Sequence, residues 1–285
     1  MLLDGRTVAN HLLEDLADRV HILFGTHGIT PHLAVVRVGD NPETTSYITQ
    51  KEKKGKEVGV VVSVYNHPDN VSQKALQQSI DFLQNDETIH GIILQLPIPQ
   101  TLNSKLLINS IKPEKDVDGF SENSPFPVPL AAAIIKLLEI PMIKETRETG
   151  NSFNEWLMSK NIVVMGKGAT GGQPIIDALK ERGVDPVVID SATKNPEELT
   201  QKADIIITAV GKRGVLTKNM IKKDAILLNV GMTRGDDDKL YGDYDEEDVK
   251  DIAGWFTPTP GGVGPVNVAC LLENVIVAAE NSVKN

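Results

Sequence analysis

Short aliphatic runs alternate with amphipathic helical stretches along nearly the whole chain, and this alternation restricts the fold more than any other feature. The strand-like runs cover residues 32–38, 60–64, 91–96, 162–165, 186–189, 204–210 and 225–230. Helical patterns lie between them at 42–57, 72–84, 172–182 and 196–202. Continuous Val/Ile/Leu runs belong to strands covered on both faces, and such strands pair in parallel with helices as crossovers. The fold class is α/β.

The alternation breaks between residues 121 and 161, where Pro125, Pro127 and Pro129 precede a helical stretch at 131–139. A polar segment with Thr149-Gly150-Asn151-Ser152 follows. The domain boundary is placed here, giving residues 1–128 plus 266–285 as one α/β domain and 129–265 as a second. The apolar run 266–279 is expected to cross back onto the first domain, leaving a cleft where ligand sites concentrate.

With 40% hydrophobic but only 4% aromatic residues, aliphatic side chains must fill both cores. A formal charge of −10 argues against a nucleic-acid partner, which would call for a basic stripe. The single cysteine, Cys270, excludes an internal disulfide and a multi-cysteine zinc site, and its place in the last apolar helix reads as a buried thiol. Asp4 and Arg6 interrupt the N-terminal stretch, so no signal peptide is expected. No apolar run approaches the roughly 20 residues of a bilayer-spanning helix, so no membrane association is expected. The chain reads as soluble and cytoplasmic.

Ile162-Val163-Val164-Met165 leads into Gly166-Lys167-Gly168-Ala169-Thr170-Gly171-Gly172 and then a helical pattern. A G-x-G-x-x-G run between strand and helix points to dinucleotide binding. Its first glycine permits the tight turn, its second the approach of a pyrophosphate, and its third the packing of helix on strand. Asp190 ends the next strand, where a carboxylate accepts hydrogen bonds from ribose hydroxyls and repels a 2′-phosphate. Lys167 pulls the other way, so NADP or NAD remains open with a lean towards NAD. Ser191 and Thr193 are further candidates for the ribose. Gly211 and Gly231 follow aliphatic strands at C-terminal ends, where open α/β sheets bind ligands.

Three glycines and three prolines crowd Thr257-Pro258-Thr259-Pro260-Gly261-Gly262-Val263-Gly264-Pro265. Pro265 is expected at the first position of the last helix, leaving bare backbone at its N-terminus. Gly262, Gly264 and Pro265 are candidates there for substrate contact, against the plainer reading of a rigid turn.

In the first domain the ordered motifs are Val38-Gly39-Asp40-Asn41-Pro42, Tyr47 with Lys51, Gly91-Ile92-Ile93-Leu94-Gln95-Leu96-Pro97, and Lys115-Asp116-Val117-Asp118-Gly119-Phe120. With Ala209-Val210-Gly211-Lys212, Asn229-Val230-Gly231 and the Gly/Pro loop, the chain resembles the methylenetetrahydrofolate dehydrogenase/methenyltetrahydrofolate cyclohydrolase family from about Asp4 to Glu280. Tyr47 and Lys51 are i and i+4 on one helix face. On charge pattern alone Lys51 reads as one of several solvated lysines, and Asp118 as a turn residue. The resemblance instead implies that Lys51 is the acid/base of hydrolysis and that Gln95 bonds Lys51 and the one-carbon centre. It implies too that Asp118 binds the pterin and Tyr47 stacks on the aminobenzoyl ring. A tetrahydrofolate derivative as substrate, a nicotinamide cofactor, no metal, and a homodimer are likewise implied by the resemblance.

Three departures from the family pattern stand out. Phe126-Pro127-Val128-Pro129-Leu130-Ala131-Ala132-Ala133 replaces a Pro-Cys-Thr-Pro stretch, Lys167-Gly168 replaces a frequent Arg-Ser pair, and Asp190 is unusual. The alternatives are a monofunctional NAD-dependent dehydrogenase of the same family, an amino-acid or shikimate-type dehydrogenase, and a non-catalytic dinucleotide sensor.

Overall fold

A computed structural model describes residues 1–147 and 150–284, with the side chains of Pro42 and Glu43 outside the description. Thr149 of the polar segment named above therefore lies outside the described residues. The elements in order are α1 (Gly5–His27), β1 (His32–Val38), α2 (Pro42–Val58), β2 (Val61–His67), α3 (Gln73–Gln84), β3 (Gly91–Leu94) and α4 (Ser104–Asn109). There follow α5 (Pro129–Thr146), α6 (Phe153–Met158), β4 (Ile162–Met165), α7 (Gly172–Glu181), β5 (Val187–Ile189), α8 (Pro196–Thr200), β6 (Ile205–Thr208) and β7 (Ile226–Asn229). The chain ends with β8 (Met232–Arg234), β9 (Leu240–Gly242), α9 (Glu246–Val249), β10 (Trp255–Phe256) and α10 (Val263–Ser282).

Residues 10–129 and 268–285 form a first compact unit, and residues 1–9 with 130–267 a second. The first nine residues therefore depart from the sequence-based division. Leu3 N donates to Phe256 O at 2.8 Å, Phe256 N donates to Met1 O at 3.0 Å, and Leu2 bridges Phe256 in parallel. The N-terminus thus lines the free edge of β10, a pairing across more than 250 residues that no local pattern announces.

The first unit holds a parallel sheet in the order β2-β1-β3. Its central strand is fully buried from Leu33 to Val36. One face packs Ala34, Val36, Ile92 and Leu94 against Leu76, Ile80 and Leu83 of α3 and Leu107 of α4. Three leucine or isoleucine positions at helical spacing explain why α3 lies flat on the sheet. Ser72 caps the helix by accepting from Ala75 N.

The second unit holds a five-stranded parallel sheet in the order β10-β7-β6-β4-β5. Val163, Met165, Ile206, Leu227 and Phe256 share one apolar cluster with Leu216, Tyr244 and Val249. The direction of strand succession reverses between β4 and β6, which marks the ligand-binding crevice of open α/β sheets. In the first unit the same reversal falls between β1 and β3.

Several boundaries move from their expected places. Gln95, Leu96, Ala209, Val210 and Val230 are apolar-run residues that lie beyond the ends of their strands. An apolar pattern records burial, not where the hydrogen-bond ladder stops. The hairpin β8–β9, the strand β10 and the helix α1 had no place in the sequence-based scheme. Helix α10 begins at Val263, so Pro265 occupies its third position, still within the first turn where an absent N–H costs nothing. At 20 residues and mean hydropathy 1.4, α10 also meets the length and composition of a membrane span, which the sequence reading had excluded. Of its most apolar window 61% is buried within the protein, as a core helix requires, and Cys270 on it is buried.

Candidate functional site

In the first unit, the reversal point between β1 and β3 brings together side chains from two crossovers. Helix α2 leaves the end of β1 and carries Ile48 inward, which sets Lys51 one turn later at the edge of the core. Lys51 Nζ donates to Gln95 Oε1 at 2.8 Å. Gln95 lies just beyond β3, and its main-chain N–H still donates to Val36 O at 2.9 Å, continuing the β1–β3 ladder. Its amide nitrogen donates to Leu96 O at 2.9 Å, which fixes the carbonyl towards the ammonium. Burial holds the Lys51 ammonium below the usual lysine range, and the charge of Asp118 opposes that depression. Tyr47, one turn before Lys51, is 46% exposed, so much of its surface is open to a ligand.

Asp118 sits in the loop after a bridge between Ile92 and Asp116. Buried side chains hold that loop. Asp116 Oδ2 accepts from Ser121 N at 2.8 Å, and Asn274 Nδ2 on α10 donates to Val117 O and Pro127 O, both at 2.9 Å. The departing segment Phe126–Val128 packs its backbone directly on Gly119. Burial pushes the Asp118 carboxyl up to about 6, with Lys51 opposing and Asp116 reinforcing. Sequence reasoning gave Asp116 no role beyond its place in a motif and did not name Asn274, and no signal short of the fold links Asn274 to a loop 157 residues away.

In the second unit, the loop after β4 has the form a dinucleotide requires. Gly166 adopts φ +92°, and a Cβ there would strike the Ala209 carbonyl. A Cβ on Gly172 would strike Gly166 O, whereas one on Gly171 meets only ordinary contacts. Close packing of helix on strand therefore falls to Gly172, one residue later than the motif suggests. Gly168 has open space around its α-carbon, where a phosphate could approach the backbone. Helix α7 starts with no side-chain cap, but Gln173 N donates to Gly168 O at 3.1 Å and Pro174 carries no N–H, so few donors of its first turn are left to a ligand. These residues fit a dinucleotide.

Asp190 and Lys167, read as opposing influences, form an ion pair at 2.7 Å. The carboxylate also accepts from Ala192 N at 2.9 Å and Thr193 Oγ1 at 3.2 Å. The hydrogen bond from Lys167, first among these, holds the Asp190 carboxyl below its ordinary range. Ser191 is exposed beside it. Gly211 and Gly231 both lie past their strands, Gly211 at φ +74°. Gly262 is buried against Thr257 and Pro258, while Gly264 is exposed with open space and Pro265 is half-buried in the first turn of α10.

Residues 3–118 match the catalytic domain of tetrahydrofolate dehydrogenase/cyclohydrolase, and residues 148–283 match the NAD(P)-binding domain of the same enzymes. The chain belongs to the tetrahydrofolate dehydrogenase/cyclohydrolase family. A bifunctional protein FolD of Polaromonas sp. is 37% identical over 284 residues, covering 98% of both chains. The crystal structure of the bifunctional enzyme FolD from Campylobacter jejuni superposes with a TM-score of 0.90 at 34% identity, covering 99% of each chain. The Trypanosoma brucei FolD, complexed with NADP cofactor and inhibitor, superposes at 0.91 with 28% identity, covering 100% of this chain and 99% of its own. Family membership extends across both units.

The raised Asp118 value has a sign that can be checked. An acid whose folded value lies above its ordinary 3.8 stabilises the fold below that value and loses this contribution as pH rises through about 6. Asp118→Asn is therefore expected to raise the melting temperature at pH 7.5, by about 1–3 kcal/mol of stability. The gain should shrink by pH 4.5. Thermal unfolding at both pH values checks this, and an equal effect at the two would contradict the burial argument.

Proposed function

We propose that this chain oxidises methylenetetrahydrofolate to methenyltetrahydrofolate with a nicotinamide dinucleotide, and then hydrolyses the product to formyltetrahydrofolate. The observation that carries the reading is the 2.8 Å contact of Lys51 with Gln95, in an environment that depresses the lysine and includes the charge of Asp118. Full-length relatives described as bifunctional support it.

A nicotinamide dinucleotide held by the glycine loop would supply the acceptor for the hydride of the methylene carbon. The protein's own groups do the rest. Asp118, ionised above about 6, accepts hydrogen bonds from the pterin amino group and ring N–H. Tyr47 supplies a ring face for the aminobenzoyl group. For hydrolysis, water adds to the methenyl carbon, a carbon–nitrogen bond of the ring breaks, and protons must move. Lys51 moves them, because a depressed pKa leaves more of the amine free to accept a proton near neutral pH. Gln95 keeps that amine directed at the carbon. The retained Lys51–Gln95 pair favours the bifunctional reading over a monofunctional dehydrogenase, and a shikimate-type enzyme has no need of the Tyr47, Lys51, Gln95 and Asp118 set.

NAD is the preferred cofactor in this reading. Asp190 presents a carboxylate to the adenosine ribose, and its pairing with Lys167 withholds the one cation in the glycine loop from a 2′-phosphate. The chain acts in the cytoplasm and as a homodimer. The outer edge of β2 supports the dimer: among the described residues no strand pairs with it, and Val61 on it is 44% exposed. An open edge of this kind is suited to pairing with its own copy about a two-fold axis.

Absorbance assays test the reaction. With methylenetetrahydrofolate and NAD, methenyl absorbance should appear, and methenyl substrate added alone should decay enzymatically. Lys51→Met is expected to lower hydrolysis by at least about 100-fold, as loss of an acid/base group does, while folate still binds; undiminished hydrolysis would refute the role given to the lysine. Asp190→Ser frees Lys167 and should shift the NADP/NAD ratio of kcat/KM upward by roughly 10-fold. An unchanged ratio removes Asp190 from cofactor choice. Sedimentation should show a dimer that a Val61→Lys substitution weakens, and a wild-type monomer would end that part of the reading.

A further inference from the structure

Past β6 the ladder runs on through Ala209 N, which donates to Met165 O at 2.7 Å, and the N–H groups of Val210 and Lys212 then need other partners. The loop lies against the glycine loop, with the Ala209 carbonyl packed on the α-carbon of Gly166. What holds it is Asp243, which follows β9 and is fully buried. Asp243 Oδ2 accepts from Val210 N at 2.9 Å, and Oδ1 accepts from Lys212 N at 2.9 Å. Each carboxylate oxygen thus serves one main-chain amide of the same loop, across more than 30 residues of sequence.

Asp243 is itself oriented. Its N–H donates to Asn229 Oδ1 at 2.8 Å, an oxygen that also accepts from Thr208 Oγ1 at 2.9 Å. Asn229 Nδ2 donates to Gly231 O and to Thr259 Oγ1, both at 2.8 Å. The α-carbon of Gly231 is pressed between the Asp243 carboxylate and Gly211 N, so no larger residue fits there. Arg213, at the far end of the loop, lies 3.9 Å over the Tyr241 ring of the same hairpin. The loops that end β6, β7 and β10 therefore share one buried polar network with Asp243 at its centre.

We propose that Asp243 is the positioning residue of the cofactor site. By accepting from both Val210 and Lys212 it sets the loop that must lie against the dinucleotide, and so governs cofactor affinity without touching the cofactor. The proposal rests on the dinucleotide-binding reading of the second unit. The chemistry requires an acceptor at both oxygens. A carboxylate provides this, whereas an asparagine of the same shape offers one oxygen and turns an NH2 group towards the second amide. The short hairpin β8–β9 has a structural purpose on this account: it folds the chain back so that Asp243 reaches the loop.

Asp243→Asn in the full-length protein tests it. The KM for the dinucleotide should rise by about 10-fold or more, the loss expected when a hydrogen bond to a charged acceptor is replaced by a donor clash. The dissociation constant from titration calorimetry should rise in parallel. Hydrolysis of methenyltetrahydrofolate without dinucleotide, and the KM for folate, should stay within twofold. Unchanged cofactor KM and affinity would overturn the proposal, as would an equal loss of hydrolysis and cofactor binding, which marks a merely structural residue. Should the variant fail to fold, hydrogen exchange on the wild-type protein without cofactor decides the matter. The Val210 and Lys212 amides should be protected, and exchange at loop rates would overturn the proposal. A wild-type protein that binds no dinucleotide would instead sink the underlying reading, so the two failures are distinguishable.

Discussion

A parallel sheet orders its strands by a continuous ladder, and at the C-terminal end of every strand that ladder stops while the chain is still buried. Backbone N–H and C=O groups just past the end need other partners, because leaving them bare in an apolar setting costs about as much as a lost hydrogen bond. In both units this protein meets the requirement with a few buried polar side chains. Asn274 takes the carbonyls of Val117 and Pro127, Asp116 takes Ser121 N, and Asp243 takes Val210 N and Lys212 N. The candidate site residues Asp118 and Gly211 lie on the loops so held. The site is therefore a by-product of the way strand ends are satisfied.

The two units treat charge differently at those strand ends. In the first, Lys51 and Asp118 are half-buried side chains, and burial pushes each towards its neutral form while the charge of the other opposes that shift. Perturbed groups of this kind are what the proposed proton transfer and pterin binding call for. In the second, Asp190 is solvent-accessible and paired with Lys167, which keeps it firmly ionised. A fixed charge discriminates between ligands but is poorly suited to moving protons. In the proposed function, chemistry and cofactor choice thus fall to groups in different electrostatic settings as well as in different units.

Much of the architecture was legible in the chain. Uninterrupted aliphatic runs of four to seven residues identify strands buried on both faces, since no alternating polar face is needed, and the order of runs and helical stretches predicts two parallel sheets. The glycine loop could be recognised because tight turns and close backbone approach leave a local signature. Lys51 could not be singled out on charge pattern alone from its lysine neighbours, and only the ordered motifs around it suggested a special role. The bounds of α10 were misjudged because Gly264 and Pro265 look like a breaker, although a first helical turn tolerates both.

What the sequence alone determined is whatever depends on near neighbours: strand and helix periodicity, the turn that precedes α7, and the spacing of Tyr47 and Lys51 on one helix face. Only the tertiary structure decided which distant groups meet. It placed the first residues of the chain beside β10, turned Gln95 Oε1 onto Lys51, joined Lys167 to Asp190, and set Asp243 under the loop after β6. The physical reason is that a buried hydrogen bond specifies donor, acceptor and distance but no sequence separation. Its partners become visible when the chain has already brought them together.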